Sequence, residues 1–172
     1  MEREEIEREL SAGEELLASS SSAHLAYLGP DGAPRVVPVG IFWTGTEFVV
    51  STAATAPKVN ALTARAEVAL AVDAGDTPGG ARSVSVRGRA SVEIIDGVVP
   101  EYLAAARRSM DADAAAMFET NVRRMYDRMA RIAITPTWAR FYDFGAGRMP
   151  RFLQDLAAKS QMTSQDWADQ DR

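Results

Sequence analysis

The sequence predicts a single α+β domain in which six antiparallel strands curl into a small barrel with helices around it. Three observations carry that prediction. Residues 82 to 93 alternate almost without fault: Val84, Val86, Gly88, Ala90 and Val92 share one face, while Ser83, Ser85, Arg87, Arg89, Ser91 and Glu93 share the other, as in a half-buried strand. Pro30-Asp31-Gly32 stands between two apolar runs, where proline presets one turn dihedral and glycine accepts a positive φ, so consecutive strands join in a hairpin. Helical spacing is confined to the amino-terminal end, a short stretch from Pro57 and one segment at about 99–129. Short strands, short connections and few helices suit a small barrel.

Taken in order, residues 2 to 18 form a charged amphipathic helix with Ile6, Leu10, Leu16 and Leu17 on its apolar side, broken by Ser19 to Ser22. Strands follow at Ala23 to Leu28 and Arg35 to Trp43, then, past Thr44-Gly45-Thr46, at Phe48 to Ala53. Pro57 opens a short helix to Arg65, since proline suits a first helical turn. A strand at Val68 to Asp73, a loop through Gly75 and Gly80 and the strand at Arg82 to Glu93 come next. Pro100 to Ser109 and Ala114 to Met129 are helices separated by Asp111 and Asp113, both good caps, and Phe118, Val122, Met125 and Met129 form a stripe for core packing. The last strand is Arg131 to Tyr142. The chain turns polar after Gly145, and Ser160 to Arg172 is expected to fray. The domain plan is an amino-terminal helix and linker at 1–22, the barrel at 23–145 with its helical insertion, and a polar extension at 146–172.

Composition narrows the chemistry. A chain of 172 residues buries roughly 70% of its extended surface and folds without cross-links. There is no cysteine and one histidine, His24, so no metal site built on two imidazoles or on thiolates exists. The net charge of −5 argues against a surface given over to nucleic acid. With no run of 18 apolar residues and an acidic start, Met1-Glu2-Arg3-Glu4-Glu5, no membrane span or export signal is expected, and the cytoplasm is the expected compartment.

Of the 19 basic residues only Lys58 and Lys159 are lysines. Lys58 sits in the first turn of a helix entered from a hydroxyl-rich strand end, Ser51-Thr52-Ala53-Ala54-Thr55-Ala56-Pro57-Lys58-Val59-Asn60. A cation there opposes the helix dipole, and a bound anion removes the conflict. The amides of the first turn, the hydroxyls of Ser51, Thr52 and Thr55, and the Lys58 ammonium would together cradle a phosphate, with Arg35 as a second charge. The alternative is a solvated Lys58 and an ordinary cap at Thr55. No GxxxxGK[ST] motif precedes the helix, so triphosphate hydrolysis is not indicated.

These residues, taken with their neighbours, carry a resemblance. Ala26-Tyr27-Leu28-Gly29-Pro30-Asp31-Gly32-Ala33-Pro34-Arg35-Val36-Val37-Pro38-Val39, Phe42-Trp43, Gly45, Ser51-Thr52, Pro57-Lys58-Val59-Asn60-Ala61-Leu62, Val68-Ala69-Leu70 and Val86-Arg87-Gly88-Arg89-Ala90 resemble, in order and spacing, the pyridoxamine 5′-phosphate oxidase-like family over about residues 20 to 143. The resemblance implies a six-stranded antiparallel split β-barrel with flanking helices that forms a homodimer. It implies FMN, or in one large branch the deazaflavin F420, in a groove at the subunit interface. It places Arg35, Val36, Val37, Pro38 and Val39 along the ring, and Ser51, Thr52, Lys58 and Asn60 around the phosphate. The segment Gly147-Arg148-Met149-Pro150-Arg151-Phe152-Leu153 departs from the arginine-rich closing segment of authentic pyridoxamine-phosphate oxidases, so vitamin B6 oxidation does not carry over.

Trp138 and Arg140 share a strand face, where they either flank a ring or phosphate of the partner chain or pack at a subunit interface. The expected function is hydride transfer to or from a small organic substrate, with FMN favoured over F420 and no catalytic side chain assigned, because the cofactor carries the chemistry. The alternative is a non-catalytic flavin- or haem-binding or storage protein on the same barrel, with His24 as the haem ligand.

Overall fold

The computed structural model describes residues 1–160. Strand β1 (Ser22–Leu28) pairs antiparallel with β2 (Pro34–Gly40) through the predicted turn. Gly32 adopts a φ of 79° there, and its N–H donates to the Gly29 carbonyl at 2.9 Å. The remaining strands are β3 (Phe42–Trp43), β4 (Phe48–Ala53), β5 (Glu67–Ala74), β6 (Arg82–Asp96) and β7 (Arg128–Asp143). They lie in one antiparallel sheet in the order β2-β1-β5-β6-β7-β4-β3.

The count is seven and not six because the predicted strand from Arg35 to Trp43 breaks at Ile41. Val39, Ile41 and Trp43 all point into the core, so the side-chain alternation runs on unbroken, while the hydrogen-bonding partner changes from β1 to β4. Consecutive segments therefore form the two opposite edges of the sheet, which must roll up to bring them together. No ladder joins β2 to β3 or β4, so the barrel stays split.

The interior is filled by alternate residues of every strand, among them Leu25, Phe48, Val50, Leu70, Val72, Val84, Ile132 and Ile134, all nearly inaccessible. The amino-terminal helix is two pieces, α1 (Arg3–Ala12) and α2 (Glu14–Ser19), and both pack on this core through Leu10, Leu16 and Leu17. They part at Gly13, where a Cβ would sit 2.6 Å from Val84 Cγ2. Helix α3 (Pro57–Ala64) adds Ala61 and Leu62.

Helices α4 (Pro100–Ser109) and α5 (Ala112–Met125) form the insertion between β6 and β7 and cover the other face of β4. There Val49, Val98, Val99, Leu103, Val122 and Met129 make a second, smaller core. Asp111 is the N-cap of α5, accepting from the Ala114 N–H at 2.8 Å, whereas Asp113 lies in the first turn. The predicted stripe ends early. Met125 is exposed, and Met129 belongs to β7, paired with Ile95. Sheet pairing from Arg128 onward overrides the helical periodicity there. Helix α6 (Arg151–Ser160) follows, where only polar extension was expected; the expected frayed segment beyond Ser160 lies outside the described residues. Among the described residues no helix is long and apolar enough to cross a membrane.

Candidate functional site

The end of β4 and the start of α3 meet as the sequence suggests, but with one separation. Lys58 Nζ donates to Thr52 Oγ1 at 3.5 Å. Ser51 points the opposite way, because neighbouring residues of a strand face opposite sides. Its side chain lines a cavity under α4 together with Val49, its neighbour of the same parity. Thr52 and Lys58 are therefore together, Ser51 is apart, and Asn60 is exposed on α3. The N-cap of α3 is Ala56, with no side chain capping it; Thr55 is exposed and does not serve as the cap. An uncapped helix start beside a lysine is an arrangement that accepts an anion.

The five residues of the β2 run divide between two faces. Val37 and Val39 turn to the core and Arg35 is half-buried on the same side, its Nη2 3.4 Å from Asp31 Oδ2. Val36 is 65% exposed and Pro38 is exposed beside it. Two hydrogen bonds at its ends set the ladder: Gly29 N–H to Ala33 O at 2.9 Å and Ile41 N–H to Ser21 O at 3.0 Å. Bonded pairs then recur at alternate residues, so Pro34, Val36, Pro38 and Gly40 turn their main chain away from β1 toward the open edge. The two prolines have no N–H to offer there. Between them Val36 presents the one free donor of the middle of this edge, a feature that discourages strand pairing and leaves an apolar ledge for a flat ligand.

Trp138 is half-buried on the outer face and Arg87 lies over its ring at 4.8 Å. Arg140 is held by α1, donating to Glu9 Oε1 and Glu5 Oε1 at 3.1 Å each. Thr52 pairs with Ala130, eight residues before Trp138 on β7, which is roughly 25 Å of strand. Within one chain Trp138 and Arg140 do not join the Lys58 site. His24 lies exposed on the outer face of β1, its Nδ1 3.5 Å from Asp73 Oδ1. Among the described residues no group of three His, Asp or Glu side chains is placed to hold a metal.

The residues that sequence reasoning missed are Arg131 and Glu101. Arg131 stands opposite Ser51 in the β4–β7 ladder, and its Nε and Nη2 both bond Glu101 Oε1, at 2.8 and 2.7 Å. Burial opposes ionisation of Glu101, but the guanidinium and the residue's own N–H outweigh it and hold the carboxyl below its ordinary range. This pair flanks a cavity of about 180 Å³ between the outer side of β3–β4 and the α4–α5 hairpin. The only available signal was the placement of Glu101 and Arg131 at the two ends of the helical insertion, which gives no hint that they meet.

The family model for pyridoxamine 5′-phosphate oxidase matches residues 11–143. Comparison with curated proteins finds no match. Among solved structures, a conserved hypothetical protein from Mycobacterium tuberculosis superposes with a TM-score of 0.62 at 24% identity, covering 88% of this chain and 90% of that one. An F420 reductase superposes at 0.55 with 28% identity, covering 73% of this chain and 94% of its own. A heme binding protein from Mycobacterium smegmatis does so at 0.54 with 23% identity, covering 81% and 56%. The split-barrel fold is common to all three.

Proposed function

This chain belongs to the pyridoxamine 5′-phosphate oxidase family, and from that membership we propose that it is an oxidoreductase using FMN or the deazaflavin F420. The carrying observation is the Lys58–Thr52 pair at the uncapped start of α3. In this reading the pair holds the cofactor's phosphate, the Pro34–Gly40 edge lies along the ring, and the Val36 N–H meets a ring acceptor. When bound, the cofactor supplies the hydride chemistry. The protein's part is to grip the phosphate, fix the ring against β2 and exclude water from its covered side with Val36 and Pro38. The 28%-identical F420 reductase supports the deazaflavin branch of this reading.

In this reading a homodimer completes the site: Trp138, roughly 25 Å of strand from Thr52, would reach the partner's cofactor, and Arg140 would do so on leaving Glu5 and Glu9. The substrate is a small organic molecule, and the compartment is the cytoplasm. Optical titration tests the reading: saturable binding of FMN or F420 with a shifted flavin or deazaflavin band is expected, and a protein that refuses both refutes it. One observation favours a second reading, haem binding without turnover: His24 is exposed with a carboxylate near Nδ1, the arrangement that orients an imidazole as a ligand. A Soret band lost in His24→Ala would mark that case.

A further inference from the structure

We propose that the cavity between the outer side of β4 and the α4–α5 hairpin is a second binding site, which takes a small aromatic molecule carrying a hydrogen-bond donor. The space exists for a sequence reason. Helix α4 presents Ala105 and Ala106 toward the sheet between Tyr102 and Met110, and these short side chains stop short of Phe42 on β3. About 180 Å³ is left, bounded by Phe42, Tyr102 and Phe118. A sealed apolar cavity of roughly 150 Å³ holds benzene, so this space, which opens to solvent, has room for a single ring.

The wall is not uniformly apolar. Ser51 and Glu101 line it as well. Both Arg131 nitrogens bond Glu101 Oε1, which leaves Oε2 outside the ion pair, and the Ser51 hydroxyl has no hydrogen bond to another side chain among those described. Glu101 Oε2 only accepts, and the Ser51 hydroxyl accepts or donates, so a hydroxyl or amine on the ring is recognised at Glu101 while its charge repels a carboxylate. The rings of Tyr102 and Phe118, 5.6 Å apart and tilted by 41°, offer an aromatic wall for edge or face contact. On the far side of Phe42 the guanidinium of Arg108 lies 4.1 Å from the ring centre, which fixes that wall in place. The site is separate from the Lys58–Thr52 corner because Ser51 and Thr52 face opposite sides of β4, so it stands whether or not a cofactor binds there.

The test is a fluorine NMR titration of the full-length protein with 4-fluorobenzyl alcohol. A saturable shift at millimolar ligand is expected, with intermolecular Overhauser contacts from the ligand to the rings of Phe42 and Phe118. Fluorobenzene, which lacks the donor, should bind several-fold more weakly. Ala105→Leu fills the space and should weaken binding at least about tenfold, while Lys58→Ala should leave it unchanged. The proposal is overturned by a shift that does not saturate, by the absence of those Overhauser contacts, by equal binding of fluorobenzene, or by loss of binding in Lys58→Ala. If Ala105→Leu fails to fold, as near-UV circular dichroism would show, the Overhauser contacts on the wild-type chain decide alone.

Discussion

Glu9 is the one charged residue buried within the described chain, 7% exposed, and its surroundings explain why it tolerates that position. Beyond Ile134, β7 has no strand on its second side, since β4 ends its pairing with Phe48 opposite Ile134. The Phe141 N–H at this open edge donates to Glu9 Oε2 at 2.9 Å, and the Phe141 carbonyl accepts from Arg148 Nε at 2.8 Å. Side chains thus take the place of the missing strand. Burial alone would raise the carboxyl's pKa, but the Phe141 N–H, Arg148 and Arg140 outweigh it and hold it below its ordinary 4.5. A depressed carboxylate contributes stability that is complete above the unfolded value and lost as pH falls through the folded one. Chemical denaturation should therefore show Glu9→Gln less stable than the wild type by roughly 1 to 3 kcal/mol at pH 7. The gap should narrow below about pH 4.5; an unchanged gap at low pH would mean the charge is not what matters. At the candidate cofactor site, Lys58→Ala should weaken FMN or F420 binding by about 1.5 to 3 kcal/mol, as expected for a charge-assisted contact. Calorimetric titration measures it, and Ser51→Ala, which faces away from Lys58, should cost far less.

At the scale of elements, local signals were accurate where hydrogen-bonding partners are local. The β1–β2 hairpin, the proline start of α3 and the Asp111 cap of α5 all follow from residues a few positions apart. Asp111→Ala should cost about 1 kcal/mol in thermal or denaturant unfolding, since the Ala114 N–H loses its acceptor at an exposed helix start. Elements whose limits depend on distant partners were not legible. The break at Ile41 leaves the alternation of side chains untouched, and α5 gives way to β7 where Arg128 finds Asp96 across the sheet. Gly88 marks a third such place. It sits at the bulge opposite Pro136, where a Cβ would lie 2.7 Å from the Thr135 carbonyl oxygen. Gly88→Ala should destabilise the fold by roughly 1 to 3 kcal/mol through that clash.

At the scale of the molecule, the rolled sheet leaves β2 as an open edge with Val36 and Leu28 exposed near one another on the outer face. If that face is the subunit interface of the proposed dimer, Val36→Asp should shift the mass measured by sedimentation from dimer to monomer and lower cofactor affinity with it. A dimer that survives would place the interface elsewhere. The candidate site shows the same division between what is near and what is far. Thr52 and Lys58, six residues apart, were associated correctly from a strand end running into a helix. For Arg140 the residue pattern allows either a partner's ring or phosphate or interface packing, and the structure adds what that pattern does not show, bonds to Glu5 and Glu9 of α1. Arg131 and Glu101 were passed over because their meeting depends on how the helical insertion folds back over β4.

The sequence by itself determined the hairpin and the lysine corner, because each rests on residue types and spacings within a strand or turn of one another, and the fold class and family, through the order and spacing of such segments along the chain. Only the tertiary structure decided which strands share an edge, what Ser51 and Thr52 each face, that Glu9 takes the place of a strand beside β7, and that alanines on α4 leave an aromatic-walled cavity. Those outcomes depend on which surfaces reach each other once the sheet has rolled, and side-chain alternation along one strand is the same whichever partner it meets.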